Sequence, residues 1–110
     1  MEIFKFGGAS VKDAAGVKNV LEVLKTVGHK NVLLVVSAMG KTTNALEIVI
    51  KNYFDKSNEL YASLQDIRKY HNQILLDLFE DEEHEVFFDV NAHFDDLEYF
   101  VRSNKSPNYP

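Results

Sequence analysis

The sequence contains no cysteine, and only two of its 110 residues are proline and five are glycine. Without cysteine the chain can form no disulfide framework, no thiolate nucleophile and no cysteine-based zinc site. This absence fits a reducing compartment, and we expect a cytoplasmic protein. The low glycine and proline content, together with 45% hydrophobic residues, excludes collagen and disorder and is typical of a soluble globular domain.

Long hydrophobic runs and positive charge are also scarce. The longest aliphatic run covers residues 32–36, far short of the roughly 20 residues of a membrane-spanning helix. The first six residues include an acidic second residue and lead into a glycine pair, so they lack the apolar region of a secretory signal. A net charge of −5 argues against a broad cationic face for nucleic acid. We therefore expect neither a membrane nor a nucleic acid as partner.

Two short apolar segments predict parallel strands. Residues 3–6 are aromatic-rich and stop at a glycine pair, and residues 32–36 form an unbroken run of valine and leucine. Such a run, without alternation, is typical of a central parallel strand that is covered on both faces. Between the two segments apolar residues recur at helical spacing up to Gly28, which stands where a C-cap glycine belongs. The order strand, helix, strand predicts a right-handed parallel crossover.

Helical spacing dominates the rest of the chain. Ser10 stands three residues before Asp13 and is a candidate N-cap for the first helix. Apolar residues then recur at helical spacing over residues 46–54, 60–78 and 86–101. We expect the aromatic side chains of the last stripe to lie mainly in the core, and the acidic stretch before it to be a solvated helix end.

The predicted sheet has only two strands. A parallel strand pair normally belongs to a larger sheet with helices on both faces. We therefore expect the chain to be the first part of a longer protein. Faces that would pack on the remaining part are expected to pair with another copy of the chain, which predicts a homo-oligomer.

The loop after the first strand carries residues suited to phosphate. It lies at the carboxyl end of a parallel strand, the sheet edge where ligands bind. Gly7 and Gly8 let backbone N–H groups approach an anion, and a helix beginning near Val11 would add its positive end. Lys5 can reach charge that develops on a transferred phosphoryl group. In the alternative interpretation the glycines only turn the chain, Ser10 only caps the helix and Lys5 is a solvated cation.

The loop after the second strand contains Gly-Lys-Thr but is not a Walker A phosphate loop. That motif requires a glycine where this chain has Val35, inside the strand. The hydroxyl groups of Ser37, Thr42 and Thr43 can hydrogen-bond a carboxylate or phosphate at the start of the next helix. The alternative is that Thr43 or Asn44 only caps that helix.

Taken together, the two loops resemble the opening of aspartate kinases, members of the amino acid kinase family. The resemblance rests on Lys-Phe-Gly-Gly-Ala-Ser-Val in residues 5–11 and on Val-Val-Ser-Ala-Met-Gly-Lys-Thr-Thr-Asn in residues 35–44. It is close over residues 2–12 and 32–46 and loose over 53–110.

The resemblance implies an α/β fold, the three-layer sandwich of the amino acid kinases. The chain would be the N-terminal portion of that domain, with an incomplete, mainly parallel sheet and a helical region. Residues 1–52 would form a βαβα core that carries both ligand loops, and residues 53–110 would form the helical region.

The resemblance also implies a reaction. Aspartate kinases transfer the γ-phosphoryl group of MgATP to the β-carboxylate of L-aspartate, the first step toward lysine, threonine and methionine. ATP and L-aspartate are therefore the implied small-molecule partners, and Mg²⁺ is expected to arrive with the nucleotide. Ser37 and Thr43 match positions that line the aspartate site of the family.

The phosphate side of the family site matches the first loop. Lys5 matches the lysine that contacts the transferring phosphates and is the implied catalytic residue. Gly7, Gly8 and Ser10 match the phosphate-facing loop. Ala9 stands where a hydroxyl residue is usual, which removes one neutral donor but leaves the backbone amide.

Other family residues have no counterpart in these 110 residues, among them the catalytic aspartate and the glutamate and arginine that bind aspartate. We therefore expect the isolated chain to be inactive. Two alternatives remain: another amino acid or carboxylate kinase, and a noncatalytic helical interaction module in residues 57–102. The histidines at positions 29, 71, 84 and 93 lack the spacing of zinc ligands, so we expect no metal bound by protein side chains.

Overall fold

The structure is a computed structural model that describes residues 1–28, 30–81 and 83–103. These residues form a mixed, mostly helical fold with one two-stranded sheet. No helix among them is both long enough and apolar enough to cross a membrane. Contacts divide the chain into two units, Met1–Thr43 and Asn44–Pro110. The elements in chain order are β1 (Glu2–Phe6), a 3-10 turn (Gly8–Val11), α1 (Ala14–Val27), β2 (Val32–Val36), α2 (Thr42–Phe54), α3 (Leu60–Phe79) and α4 (Glu85–Ser103).

The first unit is built on the predicted parallel strand pair. β1 and β2 pair in register from Glu2 opposite Val32 to Phe6 opposite Val36, with α1 in the connection between them. The prediction of two parallel strands is confirmed. The expectation that β2 is a central strand covered on both faces is wrong for the described residues. No third strand pairs with β2 there, and its last four side chains are 39–51% exposed.

Helix α1 begins at a different cap from the one expected. The carboxylate of Asp13 accepts a hydrogen bond of 2.8 Å from the backbone N–H of Gly16, which is the N-cap arrangement. Ser10 is therefore not the cap of α1. Its own N–H donates to the carbonyl of Gly7 at 3.0 Å and closes the 3-10 turn instead. The α-helix consequently begins at Ala14 and not near Val11.

We expect Asp13→Ala to lower the free energy of unfolding by about 1 kcal/mol, because the substitution removes the acceptor for a helix-start amide. Asp13→Asn keeps a side-chain oxygen and should lose much less. Urea unfolding followed by circular dichroism measures both variants. An Asn variant as unstable as the Ala variant would contradict this role for the side-chain oxygen.

The second unit packs three helices around an apolar core. Val49 of α2, Leu64 and Ile67 of α3, and Phe94 of α4 form the buried cluster. The stripe predicted over residues 60–78 is confirmed as the buried face of α3, with Leu64 only 1% exposed. The predicted limits of α3 and α4 differ from the observed ones by no more than two residues.

A line of polar contacts joins α3 and α4. Residues later in α3 contact residues earlier in α4, so the two helices run antiparallel. The guanidinium of Arg68 also lies 5.6 Å from the ring centroid of Phe94. The side-chain pairs along this line are Gln65 with Glu98, Arg68 with Asp95 at 2.5 Å, and Asn72 with Asn91 at 2.8 Å.

The aromatic residues of α4 divide between core and surface. Phe94 is buried, whereas Phe88, Tyr99 and Phe100 are 65%, 74% and 55% exposed. These three lie roughly 120–140° around the helix from Phe94, so they point away from the core. The expectation that they are core residues is therefore wrong.

Candidate functional site

The two candidate ligand loops meet at the carboxyl ends of β1 and β2. The N–H of Ser37 donates to the carbonyl of Phe6 at 2.9 Å, which extends the strand pairing past β2. Farther along, the N–H of Gly40 donates to the carbonyl of Gly8 at 3.0 Å. Parallel strands predict only that the loops share a sheet edge. The backbone bond between Gly8 and Gly40 joins the loops directly.

The close approach of the second loop requires a glycine at position 8. A Cβ atom at Gly8 would lie 2.6 Å from the carbonyl oxygen of Gly40 and 3.1 Å from that of Ala38. Both oxygens belong to the backbone, so no side-chain rotation could relieve the overlap. Gly40 itself has a φ of 55°, a left-handed conformation that glycine adopts at little cost.

Gly7 faces open space. A Cβ atom built on Gly7 would have no neighbour within 4 Å, and its φ of −77° is accessible to any residue. The glycine pair is thus closed on the Gly8 side by the second loop and open on the Gly7 side. An anion could approach the loop backbone from that open side.

The 3-10 turn that contains Ser10 is fixed against the start of α1. The N–H of Ser10 is bonded to the carbonyl of Gly7. The carbonyl oxygen of Ser10 occupies the space that a Cβ on Gly16 would need. Ser10 is exposed, and its hydroxyl has no partner in the described part of the chain. The element that begins at Gly8 is a single 3-10 turn and not the α-helix N-terminus expected from the sequence.

Lys5 is exposed on β1, in register with Val35. Its ammonium makes no ion pair or hydrogen bond within residues 1–28, 30–81 and 83–103. The neighbouring side chains of Phe4 and Phe6 are partly buried. The end of β1 therefore carries a flexible cation that no carboxylate of the described chain neutralises.

Thr42 has a structural role in the second loop. Its side chain is buried, and its hydroxyl donates to the carbonyl of Met39 at 2.5 Å. Its N–H bonds the same carbonyl at 3.1 Å. This hydroxyl is therefore engaged and not free for a ligand. Since α2 begins at Thr42, the capping role considered for Thr43 or Asn44 is wrong, because both lie within the first turn.

The hydroxyls of Ser37 and Thr43 are exposed and have no hydrogen-bond partner among the residues that the structure describes. Ser37 directly follows β2, and Thr43 lies in the first turn of α2. Each can donate to a carboxylate or phosphate oxygen. The candidate site therefore combines the Lys5 ammonium, the open face of Gly7 and these two hydroxyls.

Within the described ranges no three histidine, aspartate or glutamate side chains converge as metal ligands. Two of the histidines found there, His71 and His84, contact neighbouring residues of the fold. His71 lies 2.8 Å from the carbonyl of Ile67 through Nδ1, and the ring of His84 stacks on Phe79 with centroids 4.3 Å apart. His29 lies outside the described residues.

Comparison with known proteins yields a partial similarity. No family model matches the chain, and no solved structure matches it. Over 44 residues the chain is 46% identical to aspartokinase 1, chloroplastic, of Arabidopsis thaliana. The matched stretch is 40% of this chain but only 8% of that protein, so the chain spans a small part of the relative. This similarity indicates, at most, a kinase-related segment.

Proposed function

We propose that residues 1–43 provide the phosphate loop and the acceptor loop of a kinase that transfers the γ-phosphoryl group of MgATP to the β-carboxylate of L-aspartate. The chain would act as part of a longer polypeptide. The observation that carries the proposal is the hydrogen bond from Gly40 N–H to the Gly8 carbonyl, which joins the two loops at one sheet edge. The short similarity to an aspartokinase supports the choice of reaction.

On the donor side, Lys5 and the first loop hold the nucleotide phosphates. Phosphoryl transfer depends mainly on positioning and on stabilising charge in the transition state. The unpaired ammonium of Lys5 supplies positive charge, and the open face of Gly7 admits phosphate oxygens next to the backbone. Ser10 lies in the turn that follows and offers an exposed hydroxyl.

On the acceptor side, the hydroxyls of Ser37 and Thr43 orient the aspartate. One oxygen of its β-carboxylate forms a new bond to the γ-phosphorus, while the bond from that phosphorus to the bridging oxygen of ADP breaks. Mg²⁺, which neutralises phosphate charge when bound, would enter with the nucleotide. Among the described residues no three histidine, aspartate or glutamate side chains converge to hold it.

Two measurements test the proposal. First, the chain should bind inorganic tripolyphosphate in isothermal titration calorimetry. Second, residues 1–43, which carry both loops, should replace the corresponding segment of the Arabidopsis relative with aspartokinase activity retained in a coupled ADP assay. Absence of tripolyphosphate binding would overturn the proposal, and loss of both binding and activity would favour the noncatalytic helical module. Retained activity with a preference for a different carboxylate acceptor would favour a related carboxylate kinase.

In that chimeric enzyme Thr43→Val should raise the KM for aspartate by about tenfold and leave the KM for ATP unchanged, because it removes one substrate hydrogen bond. Thr43→Ser retains the hydroxyl and serves as the control. A raised KM for ATP alone would show that the second loop serves the other substrate.

A further inference from the structure

We propose that Lys41 is a second phosphate-binding residue, acting with Lys5 on the polyphosphate of the nucleotide. The inference rests on the proposed function and deepens it, because it adds Lys41 to the residues that bind the nucleotide phosphates.

The backbone around Lys41 is fixed next to the first loop. The carbonyl oxygen that would lie 2.6 Å from a Cβ on Gly8 belongs to the peptide group linking Gly40 to Lys41. The N–H of Gly40 is bonded to the carbonyl of Gly8. On the other side of Lys41, the N–H and the hydroxyl of Thr42 both bond the carbonyl of Met39. The Lys41 side chain therefore starts from an anchored position beside the glycine pair.

The side chain of Lys41 is available for a ligand. It is exposed, and within the described ranges it makes no ion pair or hydrogen bond. Its four-carbon stem is flexible, so the ammonium can adjust to an anion at the open face of Gly7. Lys5 on β1 and Lys41 in the second loop thus bring one free cation each.

The charge distribution of the chain favours an anion at this place. Residues 1–43 contain six lysines and three acidic residues, whereas residues 44–110 contain six basic and fourteen acidic residues. Two of the three acidic residues are already engaged: Asp13 caps α1, and Glu22 lies 3.7 Å from Lys25. Charge-assisted bonds to phosphate are about twice as strong as neutral ones. A polyphosphate carries several negative charges, more than one lysine can neutralise.

Position favours the polyphosphate over the acceptor carboxylate as the ligand of Lys41. The peptide that carries Lys41 contacts Gly8, which belongs to the phosphate loop. The free hydroxyls assigned to the acceptor belong to Ser37 and Thr43, on either side of that contact along the chain. Among the polar side chains of the second loop, that of Lys41 therefore follows directly on the Gly40 carbonyl that meets the first loop.

The test compares tripolyphosphate binding by the chain and three variants in calorimetry at two salt concentrations. Lys41→Met should weaken binding by about tenfold, through the loss of one charge-assisted contact. It should also flatten the salt dependence of the affinity. Lys41→Arg should retain most of the affinity. Lys18→Met, an exposed lysine of α1 in the same unit, should bind like the parent chain.

The possible outcomes separate the inference from the proposed function. Failure of the parent chain to bind tripolyphosphate would remove the proposed function itself. Binding by the parent chain that Lys41→Met leaves unchanged would overturn only the inference. Equal weakening by Lys18→Met and Lys41→Met would show a nonspecific effect of charge and would also overturn it. In the chimeric enzyme, a Lys41→Met variant with a raised KM for aspartate and an unchanged KM for ATP would reassign Lys41 to the acceptor.

Discussion

Lys5→Met is expected to lower the kcat of the chimeric aspartokinase by roughly 100-fold or more, with a smaller change in the KM for ATP. The ammonium of Lys5 has no partner in the described residues, so its charge is fully available to the transferring group. The ammonium interacts most strongly with the negative charge that develops on the phosphoryl oxygens in the transition state. Removing the ammonium should therefore lower kcat more than it raises the KM for ATP.

Two controls accompany this variant. Lys18→Met removes an equal charge from α1 and should leave kcat near that of the parent chimera. Lys5→Arg keeps the positive charge but replaces the compact ammonium with a planar guanidinium, so this variant should retain part of the activity. A Lys5→Met enzyme with near-parent kcat would exclude Lys5 from the reaction. A normal kcat with a strongly raised KM for ATP would reduce its role to binding.

Gly8→Ala is expected to destabilise the chain by about 2 kcal/mol, because the added Cβ overlaps the carbonyl oxygen of Gly40, crowds that of Ala38 and cannot be relieved by a rotamer change. Relief requires separation of the loops, which breaks the bond from Gly40 N–H to Gly8. The Gly40 amide should then exchange with solvent much faster, and tripolyphosphate binding should weaken. Urea unfolding, amide hydrogen exchange and calorimetry measure the three effects.

Gly7→Ala is the matched control. Its Cβ would meet no atom within 4 Å and its φ is compatible with alanine, so its stability should equal or slightly exceed that of the parent chain. Protection of the Gly40 amide should be unchanged. If the two alanine variants unfold at the same denaturant concentration, the close contact between the loops is not a determinant of stability.

The elements with the strongest hydrophobic pattern were predictable from the sequence. The apolar runs that end at Phe6 and Val36 became β1 and β2, and the stripe through Leu64 became the buried face of α3. These patterns depend on burial along one element and on local chain geometry. The exposure of β2 and of Phe88 depends on which surfaces are covered by other elements. A spacing pattern does not contain that information.

The helix starts illustrate a second limit. Ser10 and Asp13 are both good N-cap residues, and sequence spacing alone does not decide between them. The choice follows from the glycine pair, since the N–H of Ser10 bonds back to Gly7 and leaves Asp13 to cap α1. Likewise, the sequence places hydroxyls after β2, but only the backbone shows that the hydroxyl of Thr42 is engaged while that of Thr43 is free.

At the candidate site, the sequence indicates which residues share a sheet edge, because β1 and β2 are parallel. It does not indicate the bond between Gly8 and Gly40 or the positive φ of Gly40. A signal for the contact was present in the small residues at positions 8, 38 and 40, which allow two backbones to approach closely. That signal could be recognised only once the strand register brought the two loops together.

The parallel pairing of Glu2 with Val32 also has a kinetic consequence. Every pair of this parallel register closes the same long stretch of chain, so no shorter pair can form first. In the antiparallel hairpin of α3 and α4 the separation falls from 33 residues at Gln65 and Glu98 to 19 at Asn72 and Asn91, so the hairpin can close from its turn outward. Distant pairing carries a larger entropic cost before it is rewarded, so the helical hairpin should form early and the strand pair late. The loops that contain Gly8 and Gly40 would then complete folding last. An anion bound there would stabilise the folded state by mass action.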